Sequence, residues 1–340
     1  MPRSPPRAGS ESSQSVVLNN SNTQYPVIAK VCRLLGWSTT VEATAAVAAA
    51  EEMGLGGEVT STHPTSPRDA ASEWFVYWSD SGLGIDKLIR TARSYQKINH
   101  FAGMVQIYRK SHLARSMIRM QRISAAEYDF FPRTWILPFE ASDAAKYLET
   151  GRDRCIIIKP SGGAQGKGIY LTMTAKDIKA DEDAVAQVYL SRPLLIDGLK
   201  FDLRIYVLVT CVDPLRVLIY REGLVRLCTT PYCTPDASNI DCTYMHLTNY
   251  SVNKHNTSFV QNNASGQGGQ SGDEGKSSKR SLTWLWDWMR ERAMDPDAVW
   301  RDIADVVVKT LISVQPSLAQ TYRTCKVNDL YTHIHPYALL

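Results

Sequence analysis

The chain has 340 residues, of which 44% are hydrophobic and 21% are charged, and its formal net charge is +4. This length and composition predict an ordinary soluble globular protein of roughly two domains. No block of Lys and Arg is dense enough to indicate a nucleic-acid partner, and the mild charge gives only a hint of an acidic one. Because the chain contains no run of 18 apolar residues, we expect neither a membrane partner nor secretion.

The cysteines are odd in number, seven, and form no Cys-x-x-Cys pair. Most of them lie in apolar runs. This pattern favours reduced core thiols in a reducing compartment over a disulfide framework.

Residues 1–72 predict an N-terminal arm of low order. The first 24 residues are rich in Pro, Ser and Arg, which is typical of a disordered segment. The Ala-rich run 43–50 could form a helix, but glycines and prolines interrupt the residues that follow it. We therefore expect the ordered domain to begin at Glu73.

Residues 73–153 predict alternating strands and helices. The pattern indicates a strand in WFVYWSD, helices in LIRTARSYQKINHF and AGMVQIYRKSHLARSMIRMQRI, a strand in PRTWILP, and then a further helix. The second predicted helix carries five Lys and Arg residues and one His, among them Lys110. The simplest interpretation of this cationic helix is a solvated face.

The segment 155–171, CIIIKPSGGAQGKGIYL, combines a buried strand with a glycine-rich hairpin. The strand ends at Lys159, and the hairpin contains four glycines and Lys167. Glycines at this density allow backbone N–H groups to approach an anion, and the lysines add positive charge. The segment is therefore interpreted either as a hairpin that covers phosphates or as a surface hairpin with solvated lysines.

For polar residues in the following strands, the sequence likewise leaves a ligand-binding role and a structural role open. Gln187, on the strand AVAQVYL, could present its amide to an adenine edge or be a satisfied polar residue on a half-exposed strand. In the strand after it, Lys200, Asp202 and Arg204 alternate and so share one face. They either face a ligand or form a salt-bridge ladder between strands. Arg226 ends a further strand and is a planar donor suited to carboxylate or phosphate.

The last part of the chain contains one polar cluster, one insert and two helices. YMHLTNYSVNKHN could line a polar pocket or serve as turn and cap chemistry. Residues 262–281 are rich in Gly, Ser, Asn and Gln and predict a flexible insert. Helices are predicted over 282–294 and 297–313.

Eight of these segments form an ordered series: YQKINHF, RKSHLAR, FFPRTWILP, IIKPSGGAQGKGIYL, YLSRPLLIDGLKFDLRIYVLV, DPLR, YREGLVR and YMHLTNYSVNKHN. The series resembles the tubulin tyrosine ligase-like family, and most of all its glutamate-adding branch, the tubulin polyglutamylases. The resemblance runs from about Trp74 to Cys325. It implies an α+β, ATP-grasp fold in which two lobes clasp ATP. Within the domain 73–340 it implies an N-terminal part (73–153), a central part (154–195) and a C-terminal part (196–340).

The resemblance also implies roles for individual residues. The implied catalytic residues are Lys200, Asp202 and Arg204. The implied ATP contacts are Lys110, Lys159, Gln165, Gly166, Gln187, Val188, Tyr189, Leu190, Lys200, Asp202, Thr248 and Asn249. The implied contacts to the incoming glutamate are Arg226, Tyr250 and Lys254. Gln165 also falls where the branch distinguishes its protein substrates.

The implied reaction consumes ATP with Mg²⁺. A glutamate side chain of the tubulin C-terminal tail would become an acylphosphate, which the amino group of free glutamate would then attack. The implied partners are tubulin tails and microtubules, with RKSHLARSMIRMQR as part of the basic surface that meets them. We expect a monomer in the cytoplasm and cytoskeleton, with the axoneme or basal body of a cilium or flagellum as a narrower location.

The resemblance stops near Cys325. The family continues with an aspartate-bearing strand and a Glu-x-Asn pair that hold Mg²⁺, whereas this chain continues KVNDLYTHIHPYALL. Asp329, His333 and His335 are poor substitutes because Mg²⁺ prefers oxygen ligands, so no metal ligand is assigned. We therefore expect an incomplete C-terminal lobe. The alternatives are a catalytically silent microtubule-binding relative and an unrelated ATP-grasp ligase that acts on a small molecule.

Overall fold

The computed structural model describes residues 16–40, 74–82, 84–93, 95–179, 181–261 and 274–325. The chain divides into two compact units, one formed by residues 1–104 with 320–340 and the other by residues 105–319. Among the helices in these ranges, none is both long enough and apolar enough to cross a membrane.

The first unit contains a parallel four-stranded sheet with strand order β2-β1-β3-β4. Its strands and helices are β1 (Val17–Asn22), α1 (Pro26–Leu34), β2 (Ser38–Thr39), β3 (Val76–Ser79), α2 (Ile85–Thr91) and β4 (Lys97–Ile98). Two apolar residues of α2, Ile85 and Ile89, pack with Ala102 and Cys325 in a small core.

Two predictions for this unit are wrong. Residues 16–40 are not a low-order arm, because β1 pairs with both β2 and β3. The remaining residues of the predicted arm, 1–15 and 41–72, lie outside the described ranges. The helix predicted in LIRTARSYQKINHF ends at Thr91, and the segment continues into β4, which pairs with β3.

The second unit contains an antiparallel sheet with strand order β5-β8-β6-β7. The strands are β5 (Thr134–Leu137), β6 (Ile156–Pro160), β7 (Tyr170–Thr172) and β8 (Ala184–Val188), and the helices before β6 are α3 (Val105–Tyr108), α4 (Lys110–Ile123) and α5 (Ala141–Glu149). Ile156 and Ile158 are fully buried on one face of β6, as their apolar β-branched run predicts. Because β5 pairs with β8, the predicted boundary between residues 153 and 154 divides a single sheet.

A second antiparallel sheet of this unit has strand order β12-β11-β10-β9. Its strands are β9 (Leu195–Ile196), β10 (Leu199–Val212), β11 (Leu215–Leu227) and β12 (Lys279–Ser281). The helices of this part are α6 (Thr243–His246), α7 (Tyr250–Asn253), α8 (Leu282–Arg290) and α9 (Pro296–Cys325), of which residues 320–325 of α9 belong to the first unit. The core against this sheet is built from Val225, Leu227, Leu282 and Leu285.

The predicted flexible insert is wrong at its end. β12 pairs with β11, and Arg280 on β12 is 4% exposed and forms an ion pair with Asp197 at 3.3 Å. The helix predicted over 297–313 also extends further, to Cys325, with Pro316 inside it.

The described residues therefore form an α+β protein with one parallel and two antiparallel sheets, which confirms the predicted class. All seven cysteines are free thiols. Burial raises the pKa of Cys155 to about 11 and that of Cys228 to about 12, so both are protonated at neutral pH.

Candidate active site

Three lysines from separate elements lie close together in the second unit. Lys110 is the first residue of α4, Lys159 lies near the end of β6, and Lys200 lies near the start of β10. Burial is the main cause that lowers the pKa of each of them. The charges of Lys200 and Lys110 lower the pKa of Lys159 further, to about 8. A group of partly desolvated ammonium ions that repel one another is suited to a ligand with several negative charges.

Lys110 joins α4 to the glycine-rich hairpin between β6 and β7. Its Nζ donates hydrogen bonds to the backbone oxygens of Pro160 at 2.9 Å and Gly163 at 2.5 Å. One residue further along each segment, the buried hydroxyls of Ser111 and Ser161 are 2.6 Å apart. The cationic helix therefore does more than present a solvated face, because its first turn is fixed to the hairpin.

Gln187 holds Lys159 in place. The Nζ of Lys159 donates to Gln187 Oε1 at 2.7 Å, and Gln187 Nε2 donates to the hydroxyl of Thr134 at 2.8 Å. Both ends of the Gln187 amide are therefore used within the protein, as expected for a satisfied polar residue. Its contact with an adenine edge stays a prediction.

Asp202 connects β10 to two other parts of the site. Arg226, its cross-strand neighbour on β11, donates to both carboxylate oxygens at 2.7 and 2.6 Å, and the hydroxyl of Thr248 donates to Oδ2 at 2.6 Å. The bidentate geometry is that of a strong charge-assisted pair. Arg204 lies on the same face of β10 but is exposed and forms no ion pair with a described residue. One interstrand ion pair, between Asp202 and Arg226, is thus present. Lys200 and Arg204 do not take part in it.

The segment that begins at His246 closes against the hairpin. The hydroxyl of Ser251 donates to the backbone oxygen of Gln165 at 2.5 Å. Gln165 and Gly166 both have positive φ, 61° and 83°. A Cβ atom on Gly166 would lie 3.0 Å from Val252 and 3.2 Å from the side chain of Asn249. Glycine is therefore required here by both the backbone conformation and the close approach of the segment.

A buried asparagine, Asn253, which no sequence motif indicated, holds the segment that begins at His246 in place. The side chain of Asn253 is fully buried, accepts from the backbone N–H and hydroxyl of Thr229, and donates to the backbone oxygens of Leu247 and Asn249. All its hydrogen-bonding positions are thus filled by the segment or by the chain after β11. No local pattern distinguishes it from an asparagine in an ordinary turn.

Lys279 is a second site residue that the sequence did not reveal. It is the cross-strand neighbour of Arg226, so Asp202, Arg226 and Lys279 form a row on one face across three strands. Its Nζ lies 3.5 Å from the ring centroid of Tyr250, whereas the Nζ of Lys254 is 5.8 Å from that ring. Tyr250 and Lys254, both predicted to hold glutamate, therefore lie beside a cation that had been assigned to a flexible insert.

The four residues 187–190 are only partly directed towards the lysines. Val188 and Tyr189 donate backbone hydrogen bonds to Arg133 at 2.9 Å and to Cys155 at 3.0 Å, and Leu190 is 63% exposed. The hydroxyl of Tyr189, in contrast, accepts a hydrogen bond from Lys200 Nζ at 2.9 Å. The adenine-binding role of these residues stays a prediction.

The remaining cations of α4 have different environments. Arg109, which directly precedes the helix, and Arg115 and Arg122 within it are exposed. Arg119 is exposed as well, but it donates to the backbone oxygen of Ser313 at 2.7 Å. A basic surface on this helix is therefore available, although its partner stays a prediction.

The described residues do not bring together a cluster of metal-binding side chains. Within those ranges, no group of three or more His, Cys, Asp or Glu side chains could hold a metal ion. Asp202 is a carboxylate whose charge acts on Lys200, and Arg226 and Thr248 already bond to it. The tail residues Asp329, His333 and His335, which were rejected as Mg²⁺ ligands from the sequence, lie outside the described ranges. We therefore assign no Mg²⁺ ligands.

This arrangement is a cluster of three lysines, suited to a polyanion, together with an arginine and a lysine suited to a carboxylate. The family model for the tubulin-tyrosine ligase family matches residues 89–336, beyond the point at which the motif resemblance stops. The chain belongs to the tubulin-tyrosine ligase family.

Several similar proteins have more specific names. The chain is 47% identical over 263 residues to tubulin polyglutamylase ttll6 of Danio rerio, a match that covers 77% of this chain and 32% of that protein. It is 46% identical over 253 residues to tubulin polyglutamylase TTLL13 of Mus musculus, covering 74% and 30%. It is 36% identical over 324 residues to a probable beta-tubulin polyglutamylase of Tetrahymena thermophila, covering 94% and 24%. The chain thus spans about a third or less of the length of these relatives.

Proposed function

We propose that the chain carries the nucleotide and amino-acid site of an ATP-dependent ligase that adds glutamate to glutamate side chains of tubulin C-terminal tails. The observation that carries the proposal is the convergence of Lys110, Lys159 and Lys200, whose pKa values fall on burial. The names of the relatives supply the substrate. The proposed fold is an ATP-grasp, with the hairpin of residues 161–169 over the phosphates.

The proposed chemistry begins with an unreactive acceptor. A carboxylate is a poor electrophile, and ATP supplies the γ-phosphoryl group that converts it into an acylphosphate, with ADP as the leaving group. The amino group of free glutamate then attacks the acyl carbon, an isopeptide bond forms, and phosphate leaves. Lys110, Lys159 and Lys200 stabilise the negative charge that moves between the phosphates and the acceptor oxygen.

Arg226 and Lys279 are suited to hold the incoming glutamate. In the structure, Arg226 forms its bidentate pair with Asp202. A planar guanidinium can bind a second carboxylate from another side. Lys279, one strand further along the same row, supplies the charge for the second carboxylate of glutamate, and Tyr250 provides the ring against which it lies.

The proposed substrate also has consequences for the partner surface and for the cellular location. The acceptor tails are acidic, so the exposed arginines of α4 are proposed to meet them. Such a substrate places the protein at cytoplasmic microtubules, of which those in cilia or flagella are one set. We propose that it acts as a monomer.

Substitution of Lys159 tests the nucleotide site. Lys159→Ala is expected to weaken ATP binding at least about tenfold, because the loss of one charge-assisted contact is of the order of 1.5–3 kcal/mol. The control is Lys146→Ala, which removes an exposed lysine from α5 and should leave ATP affinity unchanged. The measurements are calorimetric titration with ATP and Mg²⁺ and incorporation of labelled glutamate into microtubules.

Three other results would contradict the proposed function, each in a different way. If the wild-type chain has no affinity for ATP, the proposed function is wrong. If it binds ATP and pellets with microtubules but incorporates no glutamate, it is a silent microtubule-binding relative. ADP release that does not depend on tubulin would instead indicate a ligase for a small molecule.

A further inference from the structure

A buried chain of hydrogen bonds holds Lys200 in place. The proposed reaction alone does not explain why this chain is there. Its Nζ donates to the Tyr189 hydroxyl at 2.9 Å and to the backbone oxygen of His246 at 2.8 Å. The Tyr189 hydroxyl is also 3.0 Å from His246 Nδ1, and His246 Nε2 is 3.1 Å from the backbone oxygen of Asn239. The chain therefore runs from Lys200 through Tyr189 and His246 to Asn239.

The two ends of this chain fix the direction of its outer hydrogen bonds. An ammonium group only donates, and a backbone carbonyl only accepts. The proton of the imidazole must therefore be on Nε2, which donates to Asn239. In the neutral imidazole, which the lowered pKa of His246 favours, Nδ1 is an acceptor, so the Tyr189 hydroxyl donates to Nδ1 and accepts from Lys200. With these directions, a neutral imidazole and a neutral phenol satisfy all three bonds.

The surroundings of His246 favour that protonation state. Burial and the charge of Lys200 lower the pKa of His246, and burial raises the pKa of Tyr189. The titratable groups that face the imidazole are Lys200 from β10, Tyr189 from the end of β8, and Tyr232 from the loop after β11. No carboxylate among the described residues contributes to the shift of the His246 pKa.

Packing holds the imidazole ring in a single orientation. His246 is 1% exposed and Tyr189 is 6% exposed. The rings of Tyr189 and Tyr232 both meet the imidazole edge-on, at centroid distances of 5.6 and 6.0 Å and interplanar angles of 88° and 90°. A ring enclosed in this way presents Nδ1 at a fixed position, and this position sets that of the Tyr189 hydroxyl.

We propose that His246 and Tyr189 are positioning residues, which hold the Lys200 ammonium group in the orientation required for the anionic substrate. This inference rests on the proposed function and deepens it. Lysine has a flexible four-carbon side chain, and fixing it on binding costs rotamer entropy. Two acceptors that are already in place remove much of that cost. The hydroxyl of Tyr189 thus positions Lys200, which is a different role from the adenine contact predicted for residues 187–190.

The test removes a single hydroxyl group. Tyr189→Phe leaves the ring in place and is expected to weaken ATP binding about tenfold, as for the loss of one hydrogen bond to a charged group. The matched control is Tyr128→Phe. Tyr128 is also buried, at 4% exposure, and its hydroxyl donates only to the backbone oxygen of Lys309. ATP affinity should not change in this control, and thermal unfolding should show that both variants are folded.

A double-mutant cycle separates positioning from general structural support. If Tyr189 acts through Lys200, Tyr189→Phe should cause no further loss of ATP affinity in a Lys200→Ala background. An equal loss in both backgrounds would overturn the inference, and so would an unchanged affinity in Tyr189→Phe or in Lys200→Ala.

A spectroscopic measurement tests the same chain without any ligand. Isotope-labelled histidine should show His246 with its proton on Nε2, with the resonance assigned by its loss in His246→Asn. The Nδ1 resonance should shift in Tyr189→Phe and, less strongly, in Lys200→Ala. A proton on Nδ1, or no response to Lys200→Ala, would overturn the inference even if ATP binds. Conversely, absence of ATP binding with the expected spectra would contradict the proposed function and leave the hydrogen-bonded chain established.

Discussion

At the scale of single residues, the site is a compromise between stability of the free protein and affinity for an anion. Lys159 lies between Gln187, which accepts its hydrogen bond, and two further cations, Lys110 and Lys200, which repel it. A buried cation without a carboxylate partner costs free energy in the folded state. An anionic ligand would remove that cost, so the arrangement is adapted to the bound state.

The pKa of Lys159 predicts how ATP binding depends on pH. In the free protein this pKa is lowered from 10.5 to about 8, and a bound polyanion would raise it. Affinity for ATP should therefore be constant below about pH 8 and fall by up to about tenfold per unit above it. The phosphates themselves do not titrate above about pH 8, since the second pKa of a phosphate monoester is about 6. Calorimetric titration between about pH 7 and about pH 9 measures the effect.

Lys159→Arg is the control for this profile, because a guanidinium stays charged throughout the range. Its ATP affinity should vary less with pH than that of the wild type. A wild-type affinity that is constant up to about pH 9 would show that Lys159 does not contact the nucleotide. Without ligand, the unfolded state binds more protons than the folded state between about pH 8 and pH 10.5. The contribution of Lys159 to the free energy of unfolding therefore rises with pH across that window.

At the scale of elements, the hairpin between β6 and β7 is held at both sides. Lys110 bonds to its first half, and Ser251 bonds to the backbone of Gln165 in its second half. Its position over the lysines thus depends on α4 and on α7, two elements that are far from it in sequence. The glycines permit these contacts, but the contacts themselves are not local.

Gly166→Ala tests the close approach of the hairpin to α7. The added Cβ would meet Val252 and Asn249, and the positive φ of 83° is unfavourable for alanine. We expect a loss of about 1–2 kcal/mol in the free energy of unfolding, as for a non-glycine residue in the left-handed region, together with weaker ATP binding. Urea unfolding and ATP titration measure the two effects.

The same hairpin supplies a matched control. Gly162 has no atom within 4 Å of its Cβ position and does not have a positive φ, so Gly162→Ala should be neutral or slightly stabilising. Equal effects of the two substitutions would mean that the approach to Asn249 and Val252 is unimportant.

Elements with a strong local pattern could be predicted from the sequence. The apolar run at Ile156 predicts β6, and the alternation of Lys200, Asp202 and Arg204 correctly places them on one strand. β1 and β2 could not be predicted, since they are short and depend on pairing with distant residues. β12 has only three residues and follows a Gly- and Ser-rich stretch. The position of Lys279 beside Arg226 therefore depends on a cross-strand pairing that no local sequence pattern predicts.

At the scale of the whole molecule, every residue assigned to ATP or glutamate lies within residues 105–319, which form one compact unit. The parallel sheet of β1–β4 belongs to the other unit and contributes none of the assigned residues. Ligand binding stabilises the structure that forms the site, and amide hydrogen exchange reports such stabilisation segment by segment. The two units should therefore respond differently to nucleotide.

We predict that ATP with Mg²⁺ slows deuterium uptake in the hairpin 161–169, in β8, in the first half of β10 and in α7, while uptake in β1–β4 is unchanged. The expected reason is that phosphate contacts to Lys110, Lys159 and Lys200 bring together the segments that carry them, so their local opening becomes rarer. Mass spectrometry of peptic fragments, with and without saturating ATP, gives the comparison. Lys159→Ala should lose the protection at the same ATP concentration, and Lys146→Ala should keep it. Protection confined to β1–β4 would place the nucleotide in the other unit and contradict the assignment of all three lysines.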